Sequence, residues 1–274
     1  MTQHKLDMGK AWTDAMARLR ANRELVGVLA GLFLFLPMFV LSSTVLASDL
    51  DMGPPGTQPD PEKVMAQVQA VLASNWWAFV IGIIGPICGE IAILALLGDR
   101  TRPTVGEVLA QIPRLFASMF AAQFLVGMVK QAPLFLGAPL VAMLPFGGLV
   151  LLIGIGFFLS VRLTLTSAVI VIDKRLNPLA AMLRSWRLTA GNSGVLMVFF
   201  AALLSLAVVI ALLVIVSTGL IFAAFGERAA LFGNAAMLGV MLATYYAVSH
   251  ALSAAIHRQL SQPAGPEVEA SLFD

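Results

Sequence analysis

Apolar residues run along this chain in long blocks rather than in alternation, and the length of the blocks is the first thing that decides the fold. Six of them, 24–47, 76–98, 115–135, 147–170, 194–222 and 232–256, reach the ~20 residues that a helix rising about 1.5 Å per residue needs to cross a bilayer core. The pattern predicts an all-α polytopic membrane protein with six transmembrane helices. Pro133, Gly137, Pro139 and Pro145 punctuate what would otherwise be one apolar run between the third and fourth spans. Pro37 is expected to kink the first span. That span is read as an uncleaved anchor, because its apolar stretch is longer than a secretory signal and 23 residues precede it.

Shorter stretches carry helical rather than continuous periodicity. Residues 5–22, KLDMGKAWTDAMARLRAN, place Met8, Trp12, Ala15, Met16 and Leu19 on one face, with Lys5, Lys10, Arg18 and Arg20 elsewhere around the wheel. Residues 178–190 repeat this design: Asn177 suits the N-cap, Pro178 the first turn and Gly191 a left-handed end, while Leu179, Met182, Leu183 and Trp186 form a stripe flanked by Arg184 and Arg187. Both are expected to lie on the inner membrane surface, where the arginines reach anionic headgroups. Residues 104–114, TVGEVLAQIPR, form a weaker third copy, which would make the chain three units of surface helix plus transmembrane hairpin. A further helix is expected from Asp60–Pro61 to about Ala73, after the stiff connector GPPGTQPDP and before the interfacial Trp76 and Trp77.

Composition agrees with the pattern. Of 274 residues, 59% are hydrophobic and 12% charged, with mean hydropathy +0.91, where a soluble domain carries about 25% charged residues. A net charge of +2 without a basic block excludes a nucleic-acid surface, and the single cysteine, Cys88, excludes an internal disulfide or a cysteine-based zinc site. The distribution of charge sets the orientation. Fourteen of the 17 Lys and Arg fall on one side if the N-terminus is cytoplasmic, leaving Lys63, Lys130 and Arg228 on the other, beside the acidic Asp49, Asp51, Asp60 and Glu62. Both termini are therefore expected inside. The domains are a cytoplasmic amphipathic helix over 1–23, a membrane domain over 24–258 with an external loop at 48–75 and the interfacial helix at 178–190, and a cytoplasmic tail over 259–274.

Candidate chemistry is sparse. Glu90, Arg162 and His250 are expected in one polar layer in the inner third of the membrane, since each lies six to eight residues before the inner end of its span. Three readings follow, one being that these side chains simply snorkel to the inner interface. In the structural one, Glu90 and Arg162 neutralise each other, with His250, Ser249, Thr164 or Thr166 completing the hydrogen bonds; in the functional one, Glu90 and His250 relay protons and Arg162 holds an anion. Lys130 is expected to snorkel. Gly85 with Gly89, and Gly27 with Gly31, mark close helix approach. With three histidines and no HExxH, GxSxG or GxxxxGK[ST] motif, no nucleophile, base and orienter assemble, and no metal or cofactor site is expected.

The stretch RLTLTSAVIVIDKRLNPLAAMLRSWRLTAGN, 162–192, resembles the signature of bacterial integral membrane proteins related to the membrane domain of glycerophosphoryl diester phosphodiesterases, a group to which the YciC-like inner-membrane proteins are also similar. The matching features are Arg162, the apolar run 168–171, Asp173, Pro178, Arg184-Ser185-Trp186, Leu188-Thr189 and Gly191-Asn192, and the opening helix Met8 to Asn22. The resemblance implies a multi-pass protein of the bacterial inner membrane. It does not carry phosphodiesterase activity, because the His-Arg-Gly triplet and the Glu-Asn pair of the separate catalytic barrel are missing: His257-Arg258 is followed by Gln259. The interfacial motif Pro178, Arg184, Ser185, Trp186, Arg187, Gly191 and Asn192 is read as headgroup contact and anchoring. The function expected is a non-catalytic inner-membrane protein that senses or organises lipid or scaffolds an unknown protein partner, the alternative being a small transporter or permease component built on the Glu90, Arg162 and His250 layer.

Overall fold

The computed structural model describes residues 5–48, 60–98 and 104–261. Arg100, Arg102, Asp49, Asp51, most of the GPPGTQPDP connector and the tail from 262 onward lie outside them. Every described element is helical: α1 Met8–Ala21, α2 Arg23–Ala30, a π-helical turn Gly31–Phe35, α3 Leu36–Leu46, α4 Pro61–Ser74, α5 Trp76–Gly98, α6 Val105–Leu136, α7 Ala138–Met143, α8 Pro145–Arg162, α9 Thr166–Ile172, α10 Pro178–Leu188, α11 Ser193–Ala223 and α12 Glu227–Ser261. Six stretches are long and apolar enough to cross a bilayer: Arg23–Leu46, Trp76–Gly98, Val105–Met143, Pro145–Ile172, Ser193–Ala223 and Glu227–Ser261. The protein is an all-α polytopic membrane protein, as the apolar blocks require.

Helix starts follow their caps. Asp7 accepts from the Lys10 amide at 3.0 Å, Asp60 from Glu62 at 3.0 Å and Asn177 from Ala180 at 3.1 Å. Thr104 and Glu107 close a reciprocal capping box that starts α6. From that cap α6 runs unbroken for 32 residues through Pro113, so 104–114 is the first part of the third span and not a separate surface helix, and the threefold unit is not formed as drawn. Pro37 acts one turn earlier than a simple kink. Its ring removes an N–H and crowds the preceding carbonyls, and the chain relaxes into the π turn, closed by the Leu36 amide on Gly31 O.

The fold divides into two compact units, one from the described residues of Met1–Val26, Glu90–Leu206 and Ala247–Asp274, the other from those of Gly27–Gly89 and Ala207–Tyr246. In the second, α5 lies against the first span through small residues: a Cβ on Gly82 would stand 2.7 Å from Leu41, on Gly85 2.3 Å from Pro37, and on Gly89 2.6 Å from Leu34. Gly27 and Gly31 have open space where a Cβ would be, so only the Gly85/Gly89 pair makes the expected close approach. In the first unit the core is the end of α5, where Ile91 to Leu97 are buried on every side. The small Gly98 lets Ile172 of α9 close over it, at 2.7 Å from a virtual Cβ.

Candidate functional site

The fourth span is interrupted. Between α8 and α9 the chain makes a turn at Leu163–Leu165, with the Thr164 amide on Val161 O at 3.4 Å and the Thr166 amide on Leu163 O at 3.1 Å. Two helical bonds are lost, from Leu165 N and to Arg162 O. Ser185 of α10 replaces both: its hydroxyl accepts from Leu165 N at 3.1 Å and donates to Arg162 O at 2.9 Å, where Thr189 Oγ1 donates as well at 3.2 Å. Leu165, Ser185 and Thr189 are fully buried. Irregular backbone at membrane depth is tolerated only where protein satisfies it, and α10 does that here. Residues 162–192 thus fold on themselves, and Ser185 serves the break instead of an interface.

Arg162 leaves this break in a different direction from the one expected. Its guanidinium lies over the Trp186 indole at 4.2 Å, and its Nη1 donates to Ser193 Oγ at 3.0 Å, at the first residue of α11. Phe158, one turn back on α8, meets the same indole edge-on at 6.1 Å. No described carboxylate pairs with Arg162. The expected Glu90–Arg162 pair is therefore absent among the described residues. A sequence cannot show that the helix carrying Arg162 stops and turns at that residue.

Glu90 and His250 do meet. His250 Nδ1 is 3.6 Å from Glu90 Oε1, and the Gln123 amide donates to Glu90 Oε2 at 2.6 Å and to Ser167 Oγ at 3.1 Å. Four helices, α5, α6, α9 and α12, contribute one group each. Gln123 and Ser167 were not singled out by the sequence; their signal is polarity inside apolar runs. One turn along α5, a cavity of about 290 Å³ is lined by Leu94, Gly98, Gln111, Val171 and Lys174. Leu94 and Val171, both buried, stand one turn after Glu90 and Ser167 on their helices.

Two further clusters hold α1, α9, α10 and α12 together. The Leu97 carbonyl, at the end of α5, accepts from Arg18 Nη1 at 3.0 Å and Arg258 Nη1 at 2.8 Å, so two guanidinium groups sit at a helix C-terminus. Asp14 ties them together, 3.2 Å from Arg18 and 2.7 Å from Arg258. Burial pushes the Asp14 carboxyl up, yet Arg258 and then Arg18 outweigh it and hold the group below its ordinary 3.8. Arg184, expected at headgroups, instead pairs with Asp173 at 3.3 Å, and Asp173 reaches His257 Nε2 at 3.2 Å. Ser261 Oγ lies 3.3 Å from the same nitrogen. Aspartate, histidine and serine are thus together without forming a proton relay, because such a relay needs its two oxygens on opposite ring nitrogens.

The remaining motif residues take mixed roles. Asn192 is buried and accepts from Leu6 N at 3.0 Å, tying the start of α1 to the start of α11. Gly191 adopts φ 77°, the left-handed conformation expected. Pro178 opens α10, and Arg187 is exposed beside Leu183 and Trp186. Among the described residues no group of three or more His, Cys, Asp or Glu comes together to hold a metal ion. Compared with known protein families, with curated proteins and with solved structures, the chain matches none.

Proposed function

We propose that this chain is a non-catalytic protein of the bacterial inner membrane that responds to lipid, with both termini and the helices α1 and α10 on the cytoplasmic side. One observation carries the reading: α10 has two faces with different work. Ser185 and Thr189 bond into the break of the fourth span, while Leu179, Leu183, Trp186 and Arg187 are exposed. An apolar stripe with a basic flank partitions into a leaflet surface. Any change in how α10 sits in the leaflet then acts directly on Arg162 O and Leu165 N. The likeness of 162–192 to the phosphodiesterase-related membrane domain belongs to the same proposal, since the residues that carry it build this connection.

The test is hydrogen exchange of the full chain in nanodiscs of phosphatidylcholine with and without phosphatidylglycerol. Protection of amides 163–167 is expected to rise with the anionic lipid, and Leu183→Asp is expected to abolish the rise. Exchange that ignores both lipid and substitution removes the reading.

The alternative, a small transporter component, has its own supporting observation in the Glu90–His250 pair one helical turn from a cavity. It expects a proton flux in proteoliposomes that Glu90→Gln stops, and no flux in the parent protein eliminates it.

A further inference from the structure

Among the described residues no carboxylate answers the positive charge of Arg162, which has only the Trp186 ring beside it. The residue is 7% exposed, its Nε has no hydrogen-bond partner, and its one side-chain bond is to a neutral hydroxyl, Ser193 Oγ. None of the described ion pairs includes it: Asp173 is taken by Arg184 and His257, Glu90 by His250, and Asp14 by Arg18 and Arg258. A buried cation in a membrane protein calls for an anion.

The guanidinium is aimed at a second positive feature. Ser193 is the first residue of the 31-residue α11, whose N-terminus carries the positive end of the helix dipole. In this first turn Leu196 N bonds to Asn192 O at 3.0 Å, whereas Ser193, Gly194 and Val195 amides find no backbone acceptor among the described residues. Gly194 is exposed, with open space where a Cβ would stand. The turn is therefore accessible, lined with donors and adjoined by an arginine, which is the environment that phosphate groups occupy at helix N-termini. Its position suits a lipid. Asn192, one residue earlier, bonds to the start of the surface helix α1, and Trp186, 37% exposed, covers the guanidinium with an aromatic ring of the kind that anchors at headgroup level.

We propose that Arg162, the first turn of α11 and Trp186 form a binding site for a phosphate group, supplied by a phospholipid headgroup of the adjoining leaflet. The proposal rests on the lipid-responsive reading and gives it a ligand chemistry. Arg162 and the α11 amides take the phosphate oxygens, and Trp186 lies along the glycerol and upper acyl chain. Through the Arg162 carbonyl the same residue touches Ser185, so the occupied site and the helix break share one side of the chain.

The test uses the full-length protein in neutral detergent, followed by thermal unfolding during titration with phosphatidylglycerol, with diacylglycerol, which lacks the phosphate, and with inorganic phosphate. Phosphatidylglycerol is expected to raise Tm saturably and diacylglycerol is not. A rise with inorganic phosphate at matched concentration supports the site with free phosphate as its source. Arg162→Gln weakens the response about tenfold, the worth of a charge-assisted hydrogen bond. Gly194→Asp keeps the test open if Arg162→Gln fails to fold: a carboxylate in the first turn suits the helix, so the variant folds with at least parental stability, yet its charge occupies the place of the phosphate and removes the response. Gly194→Asp responding to phosphatidylglycerol as the parent does overturns the site. If that happens while Leu183→Asp still abolishes lipid-dependent protection of 163–167, the lipid-responsive reading stands without this site; if neither variant matters, both fall.

Discussion

Ser185 closes two gaps with one hydroxyl, and its removal tests how much the broken span depends on it. Ser185→Ala leaves the buried Leu165 N–H without its acceptor and Arg162 O with Thr189 alone. The expected cost is about 1–3 kcal/mol, the penalty for an unsatisfied buried polar group. Ser160→Ala, which removes only a local bond to Gly156 O, is expected to change stability by less than about 0.5 kcal/mol. Denaturation in mixed micelles separates the two. Asp14 gives a pH dependence with a definite sign. Its carboxyl is held below 3.8 in the folded protein, so its contribution is complete above that value and is lost as the pH falls through the lower, folded one. The parent protein should lose thermal stability over that acid range more steeply than Asp14→Asn, and parallel pH profiles would show that Asp14 does not clamp α1 to Arg258. This pair joins residues 244 positions apart, and nothing in a linear reading suggests it. The residue types at polar positions were legible; their partners were not. Glu90 found His250 and Gln123 instead of Arg162, because helix neighbours are set by three-dimensional packing and not by depth counted along each span.

Among the helices, legibility followed the strength of the local signal. A crossing helix needs about 20 apolar residues, so the six spans are visible as run lengths, and α4 and α10 were visible because Asp60-Pro61 and Asn177-Pro178 are strong N-terminal signals. The break at 163–165 had no such signal. Its sequence, Leu-Thr-Leu, contains neither Gly nor Pro, and the interruption exists because α10 offers hydroxyls that replace the lost bonds. Continuity was misjudged in the other direction at Pro113, which α6 absorbs within its third turn. Small residues divide the same way. Gly85→Ala would place a Cβ 2.3 Å from Pro37 Cγ, whose ring cannot swing aside, and the expected loss is about 1–3 kcal/mol. Gly27→Ala meets open space and should be neutral, or stabilising by up to about 1 kcal/mol through helix propensity. Equal effects at the two positions would contradict the packing of α5 on the first span.

For the molecule as a whole, the distribution of charge and of apolar surface decides how it sits in a bilayer. None of the most apolar stretch of α11 is buried, although it is the most hydropathic of the six spans. A helix this apolar, with most of its side chains only partly covered by protein or exposed, belongs in lipid. With a cytoplasmic N-terminus the sequence assigns 14 of the 17 basic residues to the inner side, and Lys63 on α4 and Arg228 at the start of α12 to the outer one. Basic residues are retained on the cytoplasmic face, so the proposed orientation expects α1 and α10 inside and α4 outside. The single cysteine makes this measurable with little perturbation. Cys88 is replaced by alanine, and one cysteine is then introduced at Lys10 on α1 or Lys63 on α4, both exposed. In intact spheroplasts a membrane-impermeant maleimide should label Lys63→Cys at once and Lys10→Cys only after the membrane is permeabilised. The reverse pattern would put α10 and the Arg162 turn in the outer leaflet, and the phosphate they bind would then have to come from lipid on that side.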